Sequence, residues 1–389
     1  MSISRLVISF AASLVLAEVA LRLAAEEDLD GNVTLAGRRL LPYRFPGQRL
    51  AAVLEEWGEE GVLAHSPDLG WRPRPGAVSV DGLYAYDALG VRVADPAVPT
   101  TLRPSEGVRR LVLVGDSYSH GDDVPFAESF GAHLEAVLAA DRAPCEVVNL
   151  AVGGYGIDQA YLRLVAEGLD LAPKVVLLGL QVENVQRNHN ILRGYYFWRT
   201  GIPYSKPRFL LGPEGLHPVN SPVVPMAELP GVLLAGGTTE LLAHEEFYDP
   251  GQYELSAARR SYLYRAGETL LGDRQPQARE IGPEGEEGAL VLALLDAARR
   301  ATDQAGARFV VVLLPDREEL ARLRSGRRRA HAALLDAVAG RFETVDVANA
   351  LLGAWERVGP GALFTPGRGH YSSEANEVVA RVVAGGLDT

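Results

Sequence analysis

Four short stretches of this chain carry chemically useful residues, three of them just where an apolar run ends. Leu111-Val-Leu-Val114 gives way to Gly115-Asp116-Ser117, and the run Glu146–Val148 to Asn149-Leu150-Ala151-Val152-Gly153-Gly154. Val175–Leu180 is followed by Glu183-Asn184, and Gly369-His370-Tyr371-Ser372 opens a helical stretch near the end. A short aliphatic run bounded by glycine is a good buried strand. In an α/β sheet such strands deliver the residues after them to the carboxyl edge, where ligands bind. Together the four stretches offer a hydroxyl, a backbone-rich turn, a side-chain amide and an imidazole. Those are the parts of nucleophilic acyl transfer: nucleophile, base and donors for a developing oxyanion. Taken alone, Gly-Asp-Ser reads first as a turn in which aspartate caps the next helix. The three companions in sequence order shift the balance toward chemistry.

The same blocks resemble those of the SGNH (GDSL-type) hydrolases, in particular the membrane-anchored bacterial type. Gly115-Asp116-Ser117 is similar to the family's nucleophile block, Asn149–Gly154 to its second block and Asn184 to the third-block asparagine. His370-Tyr371-Ser372-Ser373-Glu374-Ala375-Asn376 is similar to the histidine block. Upstream, Leu69-Gly70-Trp71-Arg72 and Leu89-Gly90-Val91-Arg92 resemble segments that precede the catalytic domain in anchored members, as does Ser205-Lys206-Pro207-Arg208-Phe209. The likeness covers roughly residues 65–200 and 305–389. It implies Ser117 as nucleophile and His370 as base, with an oxyanion hole from the Ser117 and Gly154 N–H groups and the Asn184 amide.

Two departures matter. The family's Gly-Asn-Asp reads Glu183-Asn184-Val185, and the aspartate expected three residues before the histidine is Gly367. That leaves three ways to complete the site. A backbone carbonyl orients His370, a carboxylate such as Asp346 or Glu374 substitutes, or the site is degenerate. Asp116 reads as a local cap. His120, one helical turn beyond Ser117, is a candidate substrate contact. The remaining histidines, His65, His133, His189, His217, His244 and His331, have no metal-ligand spacing, so no metal or other cofactor is expected.

Elements that must hold these residues can be read along the chain. Helical segments are expected over Phe126–Ala140, Asp158–Gly168, Glu284–Gly306, Gly326–Gly340 and Ser372–Gly385. Strands are expected at Arg308–Leu314 and Phe342–Val347. Strands alternating with helices call for a parallel sheet covered on both faces. The resemblance implies a flavodoxin-like three-layer α/β sandwich of about five strands. The domain reading is residues 1–25 as an anchor and 26–107 as an irregular segment packed on the core. Residues 108–389 form the hydrolase-type domain, with an insertion at about 195–285. That insertion holds Tyr195-Tyr196-Phe197-Trp198, rings suited either to a lid core or to stacking on sugars.

Composition narrows the partners. A net charge of −12 with no long basic stripe argues against nucleic acid. The lone Cys145 excludes an internal disulfide and reads as a core residue. Arg5 precedes an apolar run from Leu6 to Ala17, which Glu18 and Arg22 interrupt before Leu23. The run suits an uncleaved signal anchor holding the catalytic domain outside the cytoplasm, at the cell surface or in the periplasm. A cleaved leader and an amphipathic helix packed on the domain are the alternatives. Three functions fit: an esterase for acylated carbohydrate or lipid, an envelope polysaccharide O-acyltransferase using the same site, and a catalytically silent binding protein. Oligomeric state is not readable.

Overall fold

Strand β1 (Arg109–Val114) shows why the sheet needs a layer on each side. Leu111 and Leu113 enter one core with Phe130, Leu134 and Val383, while Val112 and Val114 enter another with Leu164, Leu294 and Val338. Side chains alternate between the faces of a strand, so two apolar faces require helices above and below. The computed structural model describes residues 3–57, 61–141, 144–197, 200, 205–235, 240–272, 280–367 and 369–387. Within it, β1 pairs in parallel with β2 (Cys145–Asn149) on one side and β3 (Val175–Leu180) on the other. β4 (Arg308–Leu313) continues from β3, and β5 (Thr344–Asp346) closes the far edge. The spatial order, numbering the sheet strands along the chain, is β2-β1-β3-β4-β5. It is the flavodoxin-like order, whose switch point lies beside β1.

One face is covered by helices Phe130–Asp141, Ala348–Val358 and Ser373–Gly386. The other is covered by Ile157–Arg163, Glu286–Gln304 and Ala332–Arg341. The sandwich is therefore three layers with a five-stranded parallel sheet. Most element boundaries lie within two or three residues of those expected. The helix expected from Gly326 begins only at Ala332, after His331 at φ +55°, a conformation no α-helix contains.

The chain divides into two compact units. The sandwich unit comprises residues 59–192, 204–224 and 280–389. The second comprises residues 1–58, 193–203 and 225–279, so the N-terminal segment and much of the insertion share one body. Its first element is the helix Ile3–Ala24, whose residues Leu6, Val7, Ile8, Phe10, Val15 and Leu16 are all exposed. Leu21, near its end, packs with Tyr262 against Val33, Leu40 and Ala266. Tyr195 belongs to a ring cluster with Phe45, Tyr248 and Tyr253 inside this unit, with centroids 5.7–6.5 Å from its own. Trp198 lies outside the described residues.

Candidate active site

The turn after β1 is shaped by what its glycines leave room for. Gly115 has φ +149°, and a Cβ there would come within 2.5 Å of Ser119 Oγ. Gly179 on the neighbouring β3 leaves the other half of the same space, since its Cβ would fall 1.9 Å from Ser119 Oγ. The one-turn helix Ser117–His120 can therefore seat directly on the sheet edge. Asp116 caps it by accepting from the Tyr118 N–H at 3.0 Å, as expected of a local cap. At its far end Arg92 donates to the carbonyls of His120, Gly121 (2.6 Å) and Val124 (2.6 Å). Thus one segment flagged upstream, Leu89–Arg92, clamps the chain on the far side of the serine.

His370 reaches this turn from the other end of the sequence. Its ring packs edge-on against Tyr118, with centroids 5.4 Å apart, and Tyr118 Oη donates to Gly369 O at 3.3 Å. The ring's Nδ1 donates to Asp123 Oδ2 at 2.7 Å. Thr365 Oγ1 donates to the same carboxylate oxygen at 3.3 Å. The partner of Nδ1 is therefore a carboxylate six residues beyond Ser117, and neither a backbone carbonyl nor Asp346 nor Glu374. Asp346 instead pairs with Arg329 at 2.6 Å, and Glu374 sits in the first turn of the last helix. Gly367 has φ +90° in the turn between the bridged residues Phe364 and Tyr371, a conformation that a side chain disfavours. Asp123 itself has φ +66°, which aspartate tolerates better than most residues.

The second and third turns meet beneath the serine. Arg187 donates to the Asn184 Oδ1 at 3.0 Å, to the Tyr155 carbonyl at 3.1 Å and to buried Asp116 at 3.2 Å. Because Oδ1 is taken, the Asn184 amide presents its N–H donors in the opposite direction. Burial pushes the Asp116 carboxyl up and the Arg187 guanidinium opposes it. Asn149 holds the first two turns together, donating to Ser119 O at 2.9 Å and accepting from Ala151 N at 3.0 Å. Trp71 Nε1 donates to Gly153 O at 3.2 Å, and Gln159 donates to Leu69 O at 2.7 Å. The Leu69–Arg72 segment is thereby a brace for the glycine turn. Ser117, Asn184 and His370 all lie at the carboxyl ends of strands or in the loop beside them, with Gly154 in the turn after β2.

The fold is a flavodoxin-like α/β sandwich. No protein-family model matches the sequence, and no curated protein does. Among solved structures, a G-D-S-L family protein from Desulfitobacterium hafniense DCB-2 superposes with a TM-score of 0.36 at 11% identity, over 72% of this chain and 99% of its own. TesA gives 0.35 at 16% identity, covering 72% and 98%. A catalytic mutant of the acetylxylan esterase Axe2 from Geobacillus stearothermophilus gives 0.38 at 14%, covering 72% and 94%.

The Ser117–His120 turn carries a second histidine–carboxylate pair. His120 is almost fully buried, its Nδ1 2.5 Å from Asp122 Oδ1 and its Nε2 3.0 Å from Tyr86 Oη. Burial, reinforced by the Arg92 guanidinium, lowers its pKa. Burial alone would raise Asp122, but the His120 hydrogen bond and nearby positive groups take it below its usual value. The pair is thus a neutral imidazole donating to a carboxylate, and both ring nitrogens are already engaged. Among the described residues no group of three or more His, Cys, Asp or Glu is placed to hold a metal. Lys206 pairs with buried Asp158, and Arg208 donates to His189 O at 3.0 Å, so the Ser205–Phe209 stretch is internal framework. Burial pushes the Cys145 thiol up to about 11, leaving it protonated and inert.

Proposed function

We propose that this chain is a serine hydrolase for ester-linked acyl groups, working through Ser117, His370 and Asp123. The 2.7 Å contact from His370 Nδ1 to Asp123 carries the reading, because it fixes the tautomer that leaves Nε2 as a base. Ser117 Oγ attacks the ester carbonyl carbon as its proton passes to His370 Nε2. The carbonyl oxygen takes the negative charge and is met by the Ser117 and Gly154 N–H groups and the Asn184 amide. Collapse breaks the bond to the alkoxy oxygen, which leaves as the alcohol with the proton from His370. Water then repeats the sequence on the acyl-enzyme and frees the acid. Asp123 stays ionised and steadies the imidazolium.

The substrate class we favour is an acylated carbohydrate or lipid. An O-acyltransferase would use the same first half-reaction with a sugar hydroxyl in place of water. The low exposure of Ser117 and His370, 6% and 9%, is a feature that such transfer also needs. Hydrolysis of a chromogenic acetyl ester, compared with acetyl transfer to an oligosaccharide, separates the two. A fluorophosphonate probe should label the wild type and not Ser117→Ala. Equal absence of label in both would leave only a silent binding protein.

We also propose that the helix Ile3–Ala24 anchors the protein, with Arg5 on the cytoplasmic side and both units outside. Its 22 residues span about 33 Å, enough for a hydrocarbon core of about 30 Å. The full chain should stay with the membrane after carbonate washing, and release into the supernatant would refute this.

A further inference from the structure

The apolar helix carries one acid, Glu18, and it is not idle. Its carboxylate accepts from the Tyr262 N–H at 3.0 Å, the Leu263 N–H at 2.8 Å and Ser261 Oγ at 2.8 Å. The two N–H groups are orphan donors at the start of the helix Tyr262–Gly272, so a side chain of one helix caps another. The cap fixes the height of the body relative to the apolar segment. The fifteen positions from Ile3 to Ala17 rise only about 22 Å, short of the hydrocarbon core, so the remaining turns up to Ala24 must complete the crossing. Arg22, in the last turn, therefore arrives at the level of the lipid phosphates.

At that point Arg22 lines a cavity of about 430 Å³ together with Arg44, Arg259, Arg260, Arg265 and Leu255. Arg22 is paired with Glu18 at 2.7 Å and Arg259 with Glu268 at 2.9 Å. Arg44, Arg260 and Arg265 form no ion pair with a carboxylate among the described residues, although Glu27 and Glu254 lie within electrostatic reach of the cluster. Arg265 donates to Leu41 O at 2.6 Å. Leu255, 61% exposed, adds an apolar edge, and Leu23 stands free beside Arg22. A concentration of arginine with exposed leucine, in a protein whose net charge is −12, fits the boundary of an anionic bilayer.

We propose that this cavity binds the phosphate of an anionic phospholipid headgroup and seats the second unit on the membrane surface. The proposal rests on the anchoring proposed above. Its test uses the full chain in neutral detergent micelles, titrated calorimetrically with dihexanoyl phosphatidylglycerol, dihexanoyl phosphatidylcholine and inorganic phosphate. Phosphatidylglycerol should bind about tenfold tighter than either of the others. The double variant Arg44→Gln/Arg260→Gln should lose about thirtyfold in phosphatidylglycerol affinity, whereas Arg44→Lys/Arg260→Lys should keep most of it. Neither side chain makes a hydrogen bond or ion pair among the described residues, so melting temperature should not move. Equal affinity in the glutamine variant overturns the proposal. Inorganic phosphate binding as tightly as the lipid would make this a free-phosphate site, and phosphatidylcholine binding as tightly would make it merely apolar. Carbonate extraction reports on the anchor separately: a chain that stays in the membrane yet shows no lipid preference sinks only the headgroup site.

Discussion

At residue scale the proposed mechanism gives Asp123, which accepts from His370 Nδ1 at 2.7 Å, the orienting role that the resemblance assigned to the position of Gly367. Asp123→Asn should lower turnover by about four orders of magnitude, the loss seen when a serine-protease triad loses its aspartate. Asp346→Asn and Glu374→Gln should leave turnover nearly unchanged, and a steady-state assay with a chromogenic acetyl ester checks all three. Asn184→Ala should cost about two to three orders in turnover while the chain still folds, at a lower melting temperature because Arg187 loses a buried acceptor. The placement of Ser117, His370 and Asn184 in the fold was legible because each follows an apolar run that predicts a strand or opens a helix. Asp123 was not, since its use depends on the chain reversing at Gly121 and on Arg92 holding that reversal. A signal existed all the same: two adjacent aspartates directly after the nucleophile's helical turn, in His120-Gly121-Asp122-Asp123.

The elements were largely legible because a parallel strand must be apolar on both faces, and β1, β3 and β4 are continuous aliphatic runs. What the pattern hid was the packing of the nucleophile turn on the sheet. Gly179→Ala places a Cβ 1.9 Å from Ser119 Oγ, a clash expected to destabilise by about 1–3 kcal/mol. Adding Ser119→Gly should recover part of that loss, and a double-mutant cycle in urea measures the coupling. The braces from residues 69–72 and 89–92 were visible only as resemblance, because a hydrogen bond from Arg92 to carbonyls leaves no periodic trace. Asn149 carries a similar lesson, matching the family block while working as a strut between two turns.

For the whole molecule, His120 is one source of pH dependence alongside His331, because burial holds both imidazoles below their ordinary pKa. The unfolded chain then binds the extra proton first. His120 thus contributes stability that is complete above about pH 6.5 and is lost as pH falls below it. Urea midpoints should drop between about pH 7.5 and pH 5, and His120→Gln should flatten that slope. A slope that survives the substitution would assign it to other groups. The division into two units could not be read from composition, because the N-terminal segment joins residues of the insertion across some two hundred positions of sequence.

The contact made by Glu18 changes what the leading segment is for. A protease that trimmed the chain after Ala25 would remove the carboxylate that satisfies three donors at the head of Tyr262–Gly272. Processing of this kind would do more than release the protein from a bilayer; it would leave a shorter form that melts earlier, with the loss concentrated in the helix that has been stripped of its stopper.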